Sequence, residues 1–296
     1  MSRQEQDAPV GTSNDQTLRR DDEKSAVLHA DSGTWHHGLI ARWWAEFNVA
    51  EPDELAYFRN AISTFGEPAL DLGCGNGRIL LPLLADGLDI DGSDISADMI
   101  ALAAAEVTKA GLKCRLAVAP LHELDLARSY RTIFICGVFG IGGRREHDRE
   151  ALRRAYRHLE PGGALLIANH ELPYAGQTEK RWARWLPGNR NSSPRTWPTE
   201  GERRSFADGD EVEWLGKPGA LDPLEQRVTM DVRVRLWHGG EMVKEEAYRL
   251  EENLYFVQEL LLMLDEAGFR DVRVEGGYSG RPATADDGMV VFVARK

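Results

Sequence analysis

Residues 69–78 read ALDLGCGNGR, a short apolar segment that runs into a loop with glycine at alternate positions. Glycine adopts positive φ and leaves room for another group to approach the backbone. A loop of this kind after a strand lies at the strand's carboxyl end, where open α/β sheets bind their ligands. The stretch therefore predicts an α/β fold with a ligand beside Gly73, Gly75 and Gly77.

Strand-like and helix-like segments alternate downstream of this loop. Apolar segments such as TIFIC and ALLIAN are separated by helical patterns such as SADMIALAAAEVTK, which Ser96 is expected to cap. Strands that alternate with helices pair in parallel through right-handed crossovers. Near-continuous apolar strands indicate a sheet that is covered on both faces. With the two final segments, DVRVEGGY and MVVFVARK, the core contains seven predicted strands.

Composition divides the chain into four predicted parts. Residues 1–27 are polar and charged, which predicts a disordered tail. Residues 28–174 carry two amphipathic N-terminal helices and the α/β core with its binding loop. Residues 175–250 are rich in tryptophan and arginine and then alternate around a Gly-Gly turn, which predicts an inserted β-rich lid that binds substrate. Residues 251–296 return to the core with its last helix and strands.

The bulk composition argues against several classes of partner. The net charge is -12, and no basic stripe of the kind that binds nucleic acid is present. No apolar run approaches the roughly 18 residues of a membrane helix, and the N-terminus lacks the apolar core of a secretory signal. The three cysteines show no metal or disulfide spacing. We expect a cytoplasmic, metal-independent protein with a small-molecule partner, and leave assembly into a homodimer open.

The spacing of the loop separates two classes of nucleotide ligand. A dinucleotide-binding loop reads G-x-G-x-x-G, and its third small residue lets the helix pack against the strand. Counted from Gly73, that position holds the bulky Arg78, and Asp71 stands two residues before the loop. A carboxylate there disfavours a pyrophosphate and suits the ammonium group of S-adenosylmethionine. Asp94, at the end of the second strand, is placed to accept both ribose hydroxyls, although NAD would use the same carboxylate.

Four segments together resemble the class I S-adenosylmethionine-dependent methyltransferases. They are ALDLGCGNGR, DGSDISADMIALA, HLEPGGALLI and LLMLDEAGFRDVRVEGGY. The resemblance covers about residues 55–174 and 250–296. Within the family, the sequence is most similar in type to the bacterial enzymes that methylate metabolites or natural products. It implies a Rossmann-like, doubly wound and mostly parallel seven-stranded sheet with an antiparallel C-terminal hairpin. It also implies S-adenosylmethionine as the cofactor.

The same resemblance implies a set of cofactor-binding residues. The methionine portion of the cofactor is expected at the glycine loop and its ribose at Asp94. Its adenine is expected between the ends of strands two and three, and its sulfonium at the end of strand four. Many relatives carry an acid after strand three that binds the adenine amino group, but Pro120 stands near that place here. The implied residues are Asp71, Gly73, Cys74, Gly75, Gly77, Asp94, Ile95, Met99, Leu121, His122, Cys136 and Gly137.

Candidates for catalysis and acceptor binding are fewer. The expected reaction is an in-line displacement, in which the protein aligns the reactants and a base is needed only for an acceptor that still carries its proton. The catalytic candidates are His170, Glu171 and His37, and the substrate-binding candidates are His36, Trp43, Tyr174 and Trp182. The expected activity is methylation of nitrogen or oxygen in a small molecule. A non-methylating reaction of the same cofactor and an NAD-dependent oxidoreductase stay open as alternatives.

Overall fold

The structure, a computed structural model, describes most of the chain from Thr34 onward. The predicted tail over residues 1–27 and the candidates Tyr174 and Trp182 lie outside the described residues. The described residues are 34–142, 144–171, 197–217, 220–222 and 224–296.

The described residues form six α-helices and twelve strands, joined by loops. The helices are α1 Gly38–Phe47, α2 Pro52–Phe65, α3 Leu80–Ala85, α4 Ala97–Lys109, α5 Arg145–His158 and α6 Val257–Ala267. The first five strands are β1 Ala69–Leu72, β2 Ile90–Asp94, β3 Leu116–Val118, β4 Tyr130–Cys136 and β5 Leu159–Glu171. The others are β6 Glu202–Ser205, β7 Glu211–Gly216, β8 Ala220–Asp222, β9 Arg227–His238, β10 Glu241–Asn253, β11 Arg270–Gly276 and β12 Met289–Arg295. None of the described helices is long and apolar enough to cross a membrane.

The core sheet has the order β3-β2-β1-β4-β5-β12-β11. Neighbours from β3 to β5 pair in parallel, and β12 runs antiparallel to both β5 and β11. Strand order reverses between β1 and β4, and the carboxyl ends of these two strands flank the crevice in which such sheets bind ligands. The predicted doubly wound, mostly parallel seven-stranded fold is confirmed.

Helices cover both faces of the core sheet. On one face, α5 and α6 pack through residues such as Leu152 and Leu264. On the other face, α2 and α3 pack through residues such as Phe58 and Leu83. All four side chains are fully buried. Because helices cover both faces at the centre of the sheet, strands such as β4 and β12 are apolar almost without interruption.

A second, antiparallel sheet forms the inserted part of the chain. Its order is β10-β9-β7-β6, with β8 paired to β9. The predicted hairpin is present, because β9 and β10 are joined at Gly239 and Gly240. Sequence patterns did not predict the short strands β6 to β8, where charged residues interrupt the apolar alternation. We call β6 to β10 the lid sheet; its last strand runs to Asn253, beyond residue 250, where the insert was expected to end.

Helix α1 packs against the lid sheet. Trp35 and Ile40 share one buried cluster with Val234 and Tyr248 of the lid sheet. The first turn of α1 has no cap of its own, so distant side chains accept its free N–H groups. Asp98 of α4 accepts from Gly38 N at 2.8 Å, and Glu246 of β10 accepts from Leu39 N at 2.7 Å. Helix α1 is therefore tied to the core and to the lid sheet at the same end.

The lid sheet is anchored beside the end of β4. Asn253 N donates to Gly140 O at 2.9 Å, and Gly142 N donates to Glu251 O at 2.6 Å. The last helix, α6, begins only after this anchored segment, at Val257. The reason is that Asn253 and Tyr255 are held by the core, since both side chains bind Asp148.

Candidate functional site

The glycine loop follows β1 and rests on the end of β2. Gly73 N and Cys74 N both donate to Ser93 O, at 2.7 and 2.9 Å. Gly73 has φ +90°, and a Cβ at this position would lie 2.4 Å from Val138 Cγ2. Both the backbone conformation and the close approach of Val138 therefore require glycine.

Asp94 ends β2 directly beside this loop. Its Oδ2 accepts from Gly75 N at 2.9 Å and its Oδ1 accepts from Ser96 N at 2.8 Å. Burial raises the pKa of Asp94, and the two backbone N–H groups partly offset that effect. Ser96 caps α4 as predicted, since its side chain accepts from Met99 N. The carboxylate is thus held in one orientation at the mouth of the crevice.

Two adjoining cavities open at this edge of the sheet. The first has a volume of about 360 Å³ and extends past the end of β3 to the first turn of α5. The second has a volume of about 250 Å³ and lies between the glycine loop, the end of β4 and α1. Five residues line both cavities, which places Asp94 where the two meet. They are His36, Gly73, Asp94, Val138 and Ile141.

Most of the predicted cofactor residues line one cavity or the other. Those along the first cavity, besides the shared residues, are Ile95, Leu121 and His122. Those along the second are Cys74, Gly75, Met99, Cys136 and Gly137. The structure therefore brings together residues from the carboxyl ends of four strands, β1 to β4.

Asp71 and Gly77 support the loop without lining either cavity. Asp71 is 2% exposed and accepts a hydrogen bond from Leu80 N–H at the start of α3. Burial raises its pKa to about 8, with Asp94 and Glu54 adding to the rise and Arg78 opposing it. Asp71 therefore lies at the helix start, and the expected contact with an ammonium group is not provided by this geometry. Gly77 packs against α3 and α4, where a Cβ would meet Leu81 and Ala103.

Arg78 joins α2 to the glycine loop through a contact that sequence reasoning missed. Its guanidinium binds both oxygens of Glu54, with Nη2 at 2.9 Å from Oε1. Tyr278 and Cys136 also donate to Glu54 Oε1, at 2.8 and 3.2 Å. Burial alone would raise the pKa of Glu54, but Arg78, Tyr278 and Cys136 together lower it. No local pattern links Glu54 to Arg78, because the pair forms only when α2 packs on the core.

Cys136 lines the second cavity as a protonated thiol. Burial and the neighbouring Glu54 carboxylate raise its pKa to about 12. A thiol in this state is not a nucleophile near neutral pH. Its contribution is to shape the wall at the end of β4.

His36 lines both cavities, whereas His37 faces the lid sheet. Trp35 Nε1 donates to His36 Nε2 at 3.0 Å. An indole only donates, so Nε2 is the acceptor nitrogen and Nδ1, 3.4 Å from Thr34 Oγ1, carries the proton. Burial, and to a lesser degree His37, lowers the pKa of His36 to about 4. His37 instead lies against Tyr248, with ring centres 5.0 Å apart, and lines neither cavity.

The lowered pKa of His36 predicts a pH-dependent stability. The folded state favours the neutral ring, so this stabilisation is complete above the unfolded value of about 6.5 and is lost as the pH falls toward 4. We expect the free energy of unfolding to fall by up to about 3 kcal/mol over this range through His36 alone. Chemical denaturation at a series of pH values measures it.

Two variants separate this effect from general acid sensitivity. His36→Gln should flatten the fall between pH 6.5 and 4. His37→Gln should retain most of it, because burial is the main cause of the lowered pKa. Parallel profiles for wild type and His36→Gln would show that His36 does not titrate as described.

Trp43 and Trp44 are adjacent in sequence but have different surroundings. Trp43 packs within the cluster shared by α1 and the lid sheet, 5.1 Å from Trp214 between ring centres, and lines neither cavity. Trp44 and Trp35 line the second cavity. The predicted substrate contact through Trp43 therefore has no geometric support, and the neighbouring Trp44 occupies the expected place.

His170 and Glu171 lie at the carboxyl end of β5. Their backbones pair with Val290 and Met289 of β12. Their side chains are outside what the structure describes, so their catalytic roles stay predictions. Among the described residues, no group of three His, Cys, Asp or Glu side chains is placed to hold a metal ion.

Comparisons with known proteins identify enzymes that are similar to this chain. The sequence model of a family described as "Methyltransferase domain" matches residues 69–163. The ubiquinone biosynthesis O-methyltransferase of Caulobacter vibrioides is 26% identical over 213 residues, which span 64% of this chain and 84% of that protein. Its counterpart from Azorhizobium caulinodans is 26% identical over 237 residues, spanning 68% of this chain and 89% of that protein.

A solved structure shares the fold over nearly its whole length. It is an S-adenosylmethionine-dependent methyltransferase from Clostridium acetobutylicum, with a TM-score of 0.65 and 15% identity. The match covers 87% of this chain and 97% of the other. The site also fits that cofactor, because Asp94 offers a carboxylate to a ribose diol between an apolar cavity and the glycine loop. The chain therefore carries a methyltransferase domain over residues 69–163 and has the fold of an S-adenosylmethionine-dependent methyltransferase.

Proposed function

We propose that this methyltransferase transfers the methyl group to nitrogen or oxygen of a small molecule. The observation that carries the proposal is the second cavity, about 250 Å³ in volume, which is lined by Trp44 of α1 and by Trp35 and His36 just before that helix. A cavity bounded in this way suits a small planar or apolar acceptor better than a polymer. The two curated relatives, named for O-methylation in ubiquinone biosynthesis, support a small acceptor.

The residues of the chain would hold and orient the reactants. S-adenosylmethionine, when bound, supplies the activated methyl group. Asp94 would accept the ribose hydroxyls, while the loop at Gly73 would bring backbone close to the methionine portion. Trp35 and Trp44 would exclude water from the acceptor, which favours an in-line displacement between aligned groups.

The need for a base depends on the acceptor. A neutral amine reacts through its lone pair, whereas a hydroxyl requires a base within hydrogen-bond reach. His36 does not suit this role, because Trp35 occupies its acceptor nitrogen and its other nitrogen carries the proton. We therefore assign any base to His170 or Glu171 at the end of β5.

A product assay with acceptors of two classes tests the proposal. Purified protein with S-adenosylmethionine would be offered primary and secondary amines, including amino sugars, and phenols, including catechols. We expect release of S-adenosylhomocysteine together with an acceptor heavier by one methylene unit. If phenols are the substrates, His170→Gln or Glu171→Gln should reduce kcat far more than KM; with amines both variants should remain active.

Two controls make this assay decisive. Total RNA and denatured protein as acceptors test for polymer substrates, and methylation of these alone would contradict the proposal. Consumption of the cofactor without S-adenosylhomocysteine would instead favour a non-methylating reaction.

A further inference from the structure

The first cavity contains a buried acid that the family resemblance did not assign. Asp148 lies in the first turn of α5, is 7% exposed and lines this cavity together with Asp94. The apolar side chains of Ile95, Leu121 and Val138 line the same space. The cavity therefore combines an apolar wall with two buried carboxylates from separate elements.

The hydrogen bonds of Asp148 leave one of its oxygens available. Asn253 Nδ2 and Tyr255 OH both donate to Oδ2, at 2.8 and 2.5 Å. Within the described part of the chain, no donor reaches Oδ1. Burial raises the pKa of Asp148, while the bonds from Tyr255 and Asn253 favour the charged form. A buried acceptor that faces a cavity and has no partner gains most from a ligand N–H group.

Adenosine matches this arrangement chemically. It carries a diol on the ribose, a flat apolar ring system and an amino group on the far side of the adenine. The usual acid after β3 is missing here, since Pro120 stands near its place. We propose that Asp148 Oδ1 accepts a hydrogen bond from the 6-amino group of the cofactor's adenine, so that α5 supplies the acid that the loop after β3 lacks.

Glu123 is a third acid along this cavity and is a weaker candidate. Its side chain is 69% exposed, and its Oε1 lies 3.7 Å from Nε2 of His122. Water already satisfies an exposed carboxylate, so exchanging that water for adenine yields little discrimination. Asp148, by contrast, is held in place by Asn253, the last residue of β10, and by Tyr255 two residues later.

The same hydrogen bonds predict the behaviour of an asparagine variant. In Asp148→Asn, the amide oxygen should stay with the two donors, Asn253 Nδ2 and Tyr255 OH. Its NH₂ group then faces the cavity, where it opposes an amino group and suits a carbonyl oxygen. The substitution therefore exchanges an acceptor for a donor without changing the size of the side chain.

Calorimetric titration with two ligands tests this assignment without relying on activity. The ligands are S-adenosylhomocysteine and S-inosylhomocysteine, in which an oxygen replaces the 6-amino group. Wild-type protein should prefer the first by about tenfold or more. Asp148→Asn should reverse the preference, and Glu123→Gln should leave it as in wild type.

Other outcomes would overturn the assignment. Equal weakening of both ligands in Asp148→Asn, or an unchanged preference, would limit Asp148 to anchoring residues 253–255. Loss of the preference in Glu123→Gln would make Glu123 the acceptor instead. Thermal unfolding of the ligand-free variants shows whether each is folded. Because no acceptor is used, the result is independent of the proposed small-molecule substrate.

Discussion

Replacing Asp94 with alanine is expected to weaken S-adenosylhomocysteine binding by about two to four orders of magnitude. The carboxylate is 7% exposed, is oriented by Gly75 N and Ser96 N and lines both cavities. Two hydroxyls donating to it would each form a charge-assisted bond worth roughly 1.5–3 kcal/mol. Calorimetric titration of the purified variant measures the loss directly.

The expected loss is smaller for Asp94→Asn. The amide keeps one acceptor oxygen and the volume of the side chain, but it removes the charge and offers a donor to the second hydroxyl. We expect an affinity between those of wild type and Asp94→Ala. An affinity for Asp94→Asn equal to that of wild type would show that the carboxylate does not hold the ribose.

Asp91 offers a matched control in the same strand. It is 3% exposed, accepts from Arg115 N, Arg128 and Tyr130, and lies outside both cavity linings. Asp91→Asn should therefore lower the free energy of unfolding but leave the affinity for the ligand unchanged. Equal losses of affinity in Asp91→Asn and Asp94→Ala would mean that both variants act through the stability of β2.

The parts of the fold that sequence predicts correctly depend on local signals. The alternation of apolar strands and amphipathic helices, the cap at Ser96 and the Gly239–Gly240 turn each lie within a few residues of the element they define. The glycine loop is also a local signal, because its glycines and Asp94 lie within the single unit formed by β1, the loop, α3 and β2. The central strands are buried on both faces, so they are apolar at successive positions and can be recognised from the sequence.

The details of the site that sequence did not predict depend on packing between distant segments. Helical spacing marks both Trp43 and Trp44 as apolar, but only the position of the lid sheet decides which of them faces the cavity. The position of the lid sheet also decides that His36 lines the cavities, whereas His37 packs against Tyr248. Asp148 has no motif around it, and its partners are more than a hundred residues away in sequence. Such contacts follow from the assembled fold and leave no local pattern.

The second large effect is expected at Gly73, where alanine should lower the free energy of unfolding by about 3 kcal/mol and abolish cofactor binding. Two costs combine here. Alanine at φ +90° is strained by roughly 1–2 kcal/mol, and its Cβ would lie 2.4 Å from Val138 Cγ2. Chemical denaturation gives the stability, and titration with S-adenosylhomocysteine gives the affinity.

Gly75 separates the backbone cost from the steric cost. It has φ +55°, and nothing lies within 4 Å of a Cβ built there. Gly75→Ala should therefore show only the backbone strain, about 1 kcal/mol. A loss as large as that of Gly73→Ala would contradict the role given to Val138.

A double-mutant cycle isolates the contact between Gly73 and Val138. Val138→Ala removes the methyl group that the new Cβ would meet, so it should cost less stability in the Gly73→Ala background than in wild type. The interaction free energy from this cycle should equal the steric part of the loss in Gly73→Ala. The strain of positive φ should remain, because no change at Val138 alters the backbone at Gly73. Additive losses would show that the loop shifts to avoid Val138. In that case glycine is required at Gly73 for its conformation alone, and the wall at the end of β4 does not set the position of the loop.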